Sequence, residues 1–385
     1  MYPLPLLALL IGLGLPPTAF ARPSHGHGIK GLDSATILSR QAQIAEAYDY
    51  IIVGGGTAGL TVADRLTEDG KTTVLVLEYG QLSTAASITT VRGGLSGMTD
   101  ASLQFDITSV PQVKLKNRTS PVQVGKVVGG SSAINAMMTI RGTREDYDRW
   151  GQFFGEKSSW SWEGLLPYFK KALNFVPPNA AVAKSANITY NTEYWGNTST
   201  VYAAWPSFQF PASTVLLDAF KGLGGVEFPG DSGAGKAGAY WYPTFMHPTS
   251  VTRSYARTGH YDGLNRANYQ LLPGSKVTKV LFNGTAATGV TFVPVTGRTP
   301  PAANAPVTTV KARKEVIIAA GAIHSPQVLQ LSGIGPKKLL DAAKITTLVD
   351  LPVGTNFQDH TILSATFTCK FLPVQVGVDA EIGSN

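Results

Sequence analysis

Tyr50-Ile51-Ile52-Val53-Gly54-Gly55-Gly56-Thr57-Ala58-Gly59, followed by Leu60-Thr61-Val62-Ala63-Asp64-Arg65-Leu66, is the stretch whose reading decides the fold. Residues of strong β-propensity run from Tyr50 to Val53 into a glycine cluster, and the cluster opens a segment with helical spacing. Gly54, Gly56 and Gly59 take the three positions of G-x-G-x-x-G, and each has its own job. The first allows a tight turn, the second lets backbone approach a pyrophosphate, and the third lets helix pack closely on strand. A helix starting there aims free N–H groups and a positive dipole end at phosphates. A second apolar run, Thr73-Val74-Leu75-Val76-Leu77, ends in Glu78, 19 residues past Gly59. An acid that binds ribose hydroxyls is expected at about that distance. An incidental acid after a strand–turn–helix would leave the spacing unexplained, so the stretch reads as a dinucleotide site.

The chain has 385 residues, 43% hydrophobic and 15% charged, enough for a buried core and a soft expectation of two domains. Its formal charge of +7 is spread over scattered Lys and Arg, with no basic run longer than a pair such as Lys337-Lys338. That distribution argues against nucleic-acid binding. Residues 1–21 read as a signal peptide: Leu4 to Leu15 is a short apolar core, and Ala19-Phe20-Ala21 fits the cleavage rule. The run is short for a membrane span of about 20 residues, so a secreted protein without a stable membrane anchor is expected. Four N-x-S/T sequons, at Asn117, Asn187, Asn197 and Asn283, agree with glycosylation on a secretory route. Cys369 is the only cysteine, so no intramolecular disulfide forms.

Residues 22–44 are polar and mixed and read as a flexible arm, with His25 and His27 in a solvated tail rather than at a metal. Residues 81–110, including Arg92-Gly93-Gly94-Leu95-Ser96-Gly97, read as an irregular loop or lid. Gly125-Lys126-Val127-Val128-Gly129-Gly130-Ser131-Ser132-Ala133-Ile134-Asn135 holds a second glycine turn, at Gly129, Gly130 and Ser131. There backbone can approach a planar or anionic ligand. Residues 163–173 read as a short amphipathic helix. Residues 174–250 carry three of the six tryptophans and many Pro and Gly, either an aromatic-lined substrate region or a loop-rich domain packed around its aromatics. Val277 to Phe282 and Gly289 to Val293 read as strands joined by the Asn283-Gly284 turn. Glu315-Val316-Ile317-Ile318-Ala319-Ala320-Gly321 reads as a further buried strand ending in glycine, and residues 322–332 as a helix stopped by Ser332-Gly333-Ile334-Gly335-Pro336.

Taken together these segments resemble the glucose–methanol–choline (GMC) family of FAD-dependent oxidoreductases, over roughly residues 48–360. Gly125 to Asn135 is similar to the family's first signature, with Thr139 departing where an aromatic or Ala is favoured. Gly321-Ala322-Ile323-His324-Ser325-Pro326-Gln327-Val328-Leu329-Gln330-Leu331-Ser332-Gly333-Ile334-Gly335 fits the second throughout. Leu351-Pro352-Val353-Gly354-Thr355-Asn356-Phe357-Gln358-Asp359-His360 matches the segment that follows it. Among members it looks most like secreted fungal aryl-alcohol-oxidase-like enzymes, including those of secondary metabolism.

The resemblance implies an α/β fold: a Rossmann-like FAD-binding domain of discontinuous segments (45–150 and 246–365) with an inserted substrate or cap region at 151–245. The start of an incomplete α+β substrate domain is expected at 366–385. Thr57-Ala58 and Glu78-Tyr79 would hold the ADP half of FAD, Asn135-Ala136-Met137-Met138 would lie along the flavin, and Val277 would meet the adenine end. Hydride would pass from an alcohol to the flavin, and oxygen or a quinone-type acceptor would reoxidise it. Family members run on well past Asn385 and carry their catalytic histidine there, so none of His247, His260, His324 or His360 is expected to be the base. Little turnover by this chain alone follows. A flavin binder without turnover is the alternative, and an NAD-dependent dehydrogenase would leave both later signatures without a role.

Overall fold

The computed structural model of the protein describes residues 36–39, 43–90, 97–155, 158–296 and 300–360. The signal peptide, His25 and His27, the Arg92–Ser96 part of the lid, Cys369 and the segment 366–385 lie outside the described residues.

In chain order the strands are β1 (Thr36–Ile37), β2 (Ala47–Val53), β3 (Val74–Leu77), β4 (Asn174–Phe175), β5 (Tyr202–Ala203), β6 (Tyr269–Leu272), β7 (Ser275–Asn283), β8 (Ala286–Pro294), β9 (Thr308–Ile318), β10 (Ile334–Gly335) and β11 (Val349–Asp350). Seven form one sheet in the order β1-β6-β3-β2-β9-β8-β7. Its first five strands are parallel, and β8 and β7 run antiparallel as the expected hairpin. Register brings the carboxyl ends of three strands level, with Val53 opposite both Leu77 and Ile318. Ligands of open α/β sheets bind at that edge, where the strand order reverses.

Alternate residues of the apolar runs serve opposite faces of the sheet. Ile51, Val53, Leu75 and Leu77 pack with Leu272, Val290 and Phe292 on one side. Ile52, Val74 and Val76 pack with Leu60, Ala63, Tyr261 and Tyr269 on the other. The helix Thr57–Leu66 brings Leu60 and Ala63 to that second face. Its buried Asp64 accepts from Arg266 Nη1 at 2.8 Å, pairs with His260 Nδ1 at 2.8 Å, and also meets Arg65. These bonds hold its carboxyl below the usual range against the opposing effect of burial, and they tie the helix Ala256–His260 to the first helix.

Four expectations change. Thr36–Ile37, placed in the flexible arm, forms an edge strand on β6 and buries Leu38, because β6 offers an unpaired parallel edge. The stretch 81–110 is not irregular throughout. It contains the helix Ala86–Thr89, and its Gln104 and Thr108 pair with Gly125 and Pro121. The strand expected at 315–320 is longer, Thr308–Ile318, and its residues Val316 to Ile318 are only half-buried on the two core faces. A boundary between 150 and 151 falls inside the helix Arg144–Phe154, started by the reciprocal Thr143–Asp146 capping box.

The amphipathic helix is present at Trp162–Ala172. In the 174–250 region, Phe175 and Trp195 stack at 5.0 Å and form a small core with Ala203. Trp195 Nε1 donates to Asp231 at 3.0 Å. These aromatics pack against each other.

Candidate functional site

A cavity of about 620 Å³ opens at the carboxyl edge of β2, β3 and β9. Its floor is the glycine turn. Gly54 has φ +108°, and a Cβ there would lie 2.5 Å from Ala319 O. A Cβ on Gly59 would lie 1.9 Å from Gly54 O, which is the close helix–strand contact read from the sequence. Gly56 differs: a Cβ there would meet nothing nearer than Gly130 Cα at 3.6 Å, and the residue borders the cavity. The space beside Gly56 is therefore left open to the cavity. Thr57 and Ala58 also line the cavity, at the start of the helix, where backbone N–H groups lack intrahelical partners.

Glu78 leaves β3 into the same cavity and is 6% exposed. Its Oε2 accepts from the Gly55 N–H and its Oε1 from the Gly80 N–H, both at 2.6 Å. Burial pushes its pKa up to about 7, the two N–H bonds pulling the other way. Each carboxylate oxygen has further lone-pair capacity, so ribose hydroxyls can still donate to it.

The second glycine turn meets the first. Gly129 has φ +102° and Gly130 φ +54°, and the Gly129 N–H donates to Gly55 O at 2.8 Å. A Cβ on Gly130 would lie 2.7 Å from Gly56 Cα. Gly130, Ser131, Tyr79 and Val277 line the cavity with Gly54, Gly56, Thr57, Ala58 and Glu78. Gly59 and Gly129 stand outside the lining at close-packed positions, where a Cβ would meet Gly54 O and Tyr255 Cε2. Asn135, Ala136, Met137 and Met138 continue from the second turn outside the lining. Asn135 and Met138 are exposed, and Met137 is buried with φ +60°.

Phe105 and Lys276 also line the cavity outside any motif, and Gln327 does so from within the second signature. Phe105 lies 4.9 Å from Tyr79 and 4.3 Å from His324, centroid to centroid, so three rings form one wall. Burial and the charge of Lys276 hold the His324 pKa below its usual value. His324 was legible as part of a signature, whereas Phe105 sits in a loop without a pattern. The other histidines lie elsewhere: His260 on Asp64, His247 accepting from the Thr249 and Ser250 N–H groups at 3.3 and 3.2 Å, and His360 exposed beside Asp359. Among the described residues no group of three or more His, Cys, Asp or Glu could hold a metal ion. The sequon asparagines 117, 187, 197 and 283 are all exposed.

These residues fit FAD. Backbone donors and a clear Gly56 suit the diphosphate, a buried carboxylate with spare acceptor capacity suits the ribose, and the apolar wall of Leu77, Val277 and Val328 suits an adenine.

Comparison with known proteins agrees. A family described as GMC oxidoreductase matches residues 48–362. The dehydrogenase xptC of Emericella nidulans is 38% identical over 336 residues, covering 87% of this chain and 52% of the relative. The GMC oxidoreductase family protein Mala s 12 of Malassezia sympodialis is 34% identical, covering 84% and 53%. Among solved structures, an FAD-dependent oxidoreductase from Chaetomium thermophilum superposes with a TM-score of 0.72 at 41% identity, over 79% of this chain and 51% of that one. A fungal aryl-alcohol oxidase gives 0.71 at 37% identity, over 80% and 51%. The chain thus spans about half the length of the relatives it matches. Its two touching glycine turns, its buried Glu78 and this match over most of its length lead to one conclusion: the chain belongs to the GMC oxidoreductase family, whose cofactor is FAD.

Proposed function

We propose that this chain acts as a secreted, FAD-dependent oxidoreductase on alcohols, with aryl or otherwise apolar alcohols as the substrate class. The observation that carries the reading is the cavity in which both glycine turns and Glu78 converge at the carboxyl edge of the sheet. The N–H groups at Thr57 and Ala58 bind the diphosphate, and Gly56 keeps clear the space it needs. Glu78, fixed by the Gly55 and Gly80 N–H groups, accepts from the ribose hydroxyls. Lys276, which lines the same cavity, offsets the anionic charge. FAD, when bound, supplies a two-electron acceptor for a hydride leaving the carbinol carbon, the electrons passing on to oxygen or a quinone-type compound. The aryl preference is supported by the similarity to an aryl-alcohol oxidase. Secretion and glycans at Asn117, Asn187, Asn197 and Asn283 are part of the same reading, supported by the exposure of all four side chains.

A second reading, a flavin binder without turnover, is favoured by one observation. Among the described residues His260 is held by Asp64, His247 by backbone N–H groups, His324 has its ring packed on Phe105, and His360 lies beside Asp359 outside the cavity lining. An absorbance spectrum of the whole chain, taken without oxygen before and after adding a benzylic alcohol, separates the two. Visible flavin bands that bleach on addition support the oxidoreductase. Bands that persist leave the flavin binder, and a colourless folded chain would refute both.

A further inference from the structure

The two glycine turns of the cavity are held by more than their own contact. The Gly129 N–H donates to Gly55 O at 2.8 Å, and Gly130 abuts Gly56 with no room for a Cβ. The short helix Ala256–His260 reaches both turns from outside the cavity. At its first residue the Ala256 N–H donates to Ser132 Oγ at 3.2 Å, and Ser132 Oγ donates to Gly129 O at 2.6 Å. At its last residue His260 Nδ1 lies 2.8 Å from Asp64 Oδ2, on the helix Thr57–Leu66 that leaves the first turn.

Chemistry fixes the direction of each bond. The Ala256 N–H opens its helix without an acceptor there and can only donate, and Gly129 O can only accept. One hydroxyl, with one proton and two lone pairs, meets both needs at once. Asp64 is 1% exposed and its carboxyl is held below the usual range, so it accepts and His260 Nδ1 carries the proton. Arg257, inside the same helix, donates from Nη1 to Ser83 O at 2.8 Å and from Nε to Asp262 at 3.0 Å, which keeps the helix itself in place. The links close a ring that runs from the first turn through its helix, Asp64, His260, Ala256 and Ser132 to the second turn, and back to Gly55. Neither Ser132 nor His260 lines the cavity, whereas Gly56, Thr57, Ala58 and Gly130, which the ring positions, all do.

We propose that the helix Ala256–His260 is a strut that sets the spacing of the two glycine turns, with Ser132 and His260 as positioning residues for the diphosphate of the cofactor. The assignment rests on the FAD reading above and adds to it what holds the diphosphate donors in register. Cutting either end of the strut opens the ring, so a second cut removes little more. Two contacts that served only local packing would act separately, and their effects would add. Adenosine has no diphosphate and reaches the cavity through Glu78 and the apolar wall, which makes it the control.

The test measures affinities for FAD, ADP and adenosine, with melting temperatures, on the full chain for the parent, Ser132→Ala, His260→Ala and the double variant. S132A should bind FAD and ADP about tenfold more weakly, with adenosine within about twofold of the parent. H260A should shift ADP in the same sense, and the double variant should lose no more than about twentyfold, where independent contacts would lose about a hundredfold. Additive losses would overturn the strut, and so would an S132A that binds ADP as the parent does. Equal losses of ADP and adenosine would mean a merely structural contact and would overturn the positioning role. S132A with its adenosine control decides the matter alone if H260A does not fold. A parent that binds neither FAD nor ADP would overturn the cofactor reading itself, a failure distinct from all of these.

Discussion

Glu78 couples the cofactor site to the stability of the fold through one proton. In the folded, ligand-free chain burial raises its pKa from 4.5 to about 7, so the fold holds that proton more tightly than the unfolded chain does. Between those two values the unfolded state binds fewer protons, and stability must fall as pH rises. The contribution is fully present below about pH 4.5 and lost by about pH 7, on the order of 3 kcal/mol in all. Glu78→Gln removes the ionisation, so the melting temperature of the parent should drop relative to E78Q between pH 5 and pH 8. Parallel melting curves across that range would show that the carboxyl is not desolvated. Desolvation is also what readies the group for a ligand, since a buried acceptor with unfilled lone pairs gains most from new donors.

The turn from β2 into the first helix is the element in which fold and function can be separated by a methyl group. At Gly59 an added Cβ would stand 1.9 Å from Gly54 O, so the helix must shift off the strand. At Gly56 the φ of −88° suits an L-residue, and the nearest atom is Gly130 Cα at 3.6 Å. Gly59→Ala should therefore cost roughly 3 kcal/mol of stability or more. Gly56→Ala should melt within a few degrees of the parent yet bind FAD at least tenfold more weakly, since its methyl enters the ligand's space. Thermal melts and FAD titrations of the two variants check this, and comparable melting losses in both would sink it. This element was legible in the sequence because its glycine spacing, its apolar strand and the distance to Glu78 are all local. Local periodicity likewise exposed the β7–β8 hairpin and the Gly321–Leu331 helix. Contacts between distant segments were not legible. The ring wall needs Tyr79, Phe105 and His324 side by side, and the strut needs Asp64 beside His260 and Ser132 beside Ala256. No spacing rule encodes such meetings. β1 was missed for the same reason, since its partner β6 lies more than two hundred residues on, and the half-burial of β9 depends on what covers its faces rather than on its own apolar run.

At the scale of the whole molecule the sheet core and the helices Arg144–Phe154 and Pro211–Lys221 differ in how well they are covered. The sheet core is closed, with Ile51, Ile52, Leu60, Leu75 and Phe292 fully buried. Away from it, the helix Pro211–Lys221 buries none of its residues although it carries Val215, Leu216 and Phe220, and Phe153 and Phe154 are 79% and 67% exposed. Apolar surface gathered in patches is a site of association in soluble proteins. The cavity that fits FAD is built from Glu78 and the glycine turns, not from these helices. By linkage FAD should stabilise the chain by about 2.7 kcal/mol at a hundred times its Kd. It should not cover Phe153 or Val215, neither of which lines the cavity. The purified chain should therefore bind an apolar dye such as anilinonaphthalene sulfonate and self-associate as its concentration rises, with and without FAD. Phe153→Ser combined with Phe154→Ser should reduce both effects while leaving the FAD-induced rise in melting temperature intact. Dye fluorescence, sedimentation and melting curves on the same samples read the three quantities. Loss of dye binding on adding FAD would mean instead that the cofactor orders these exposed helices as well.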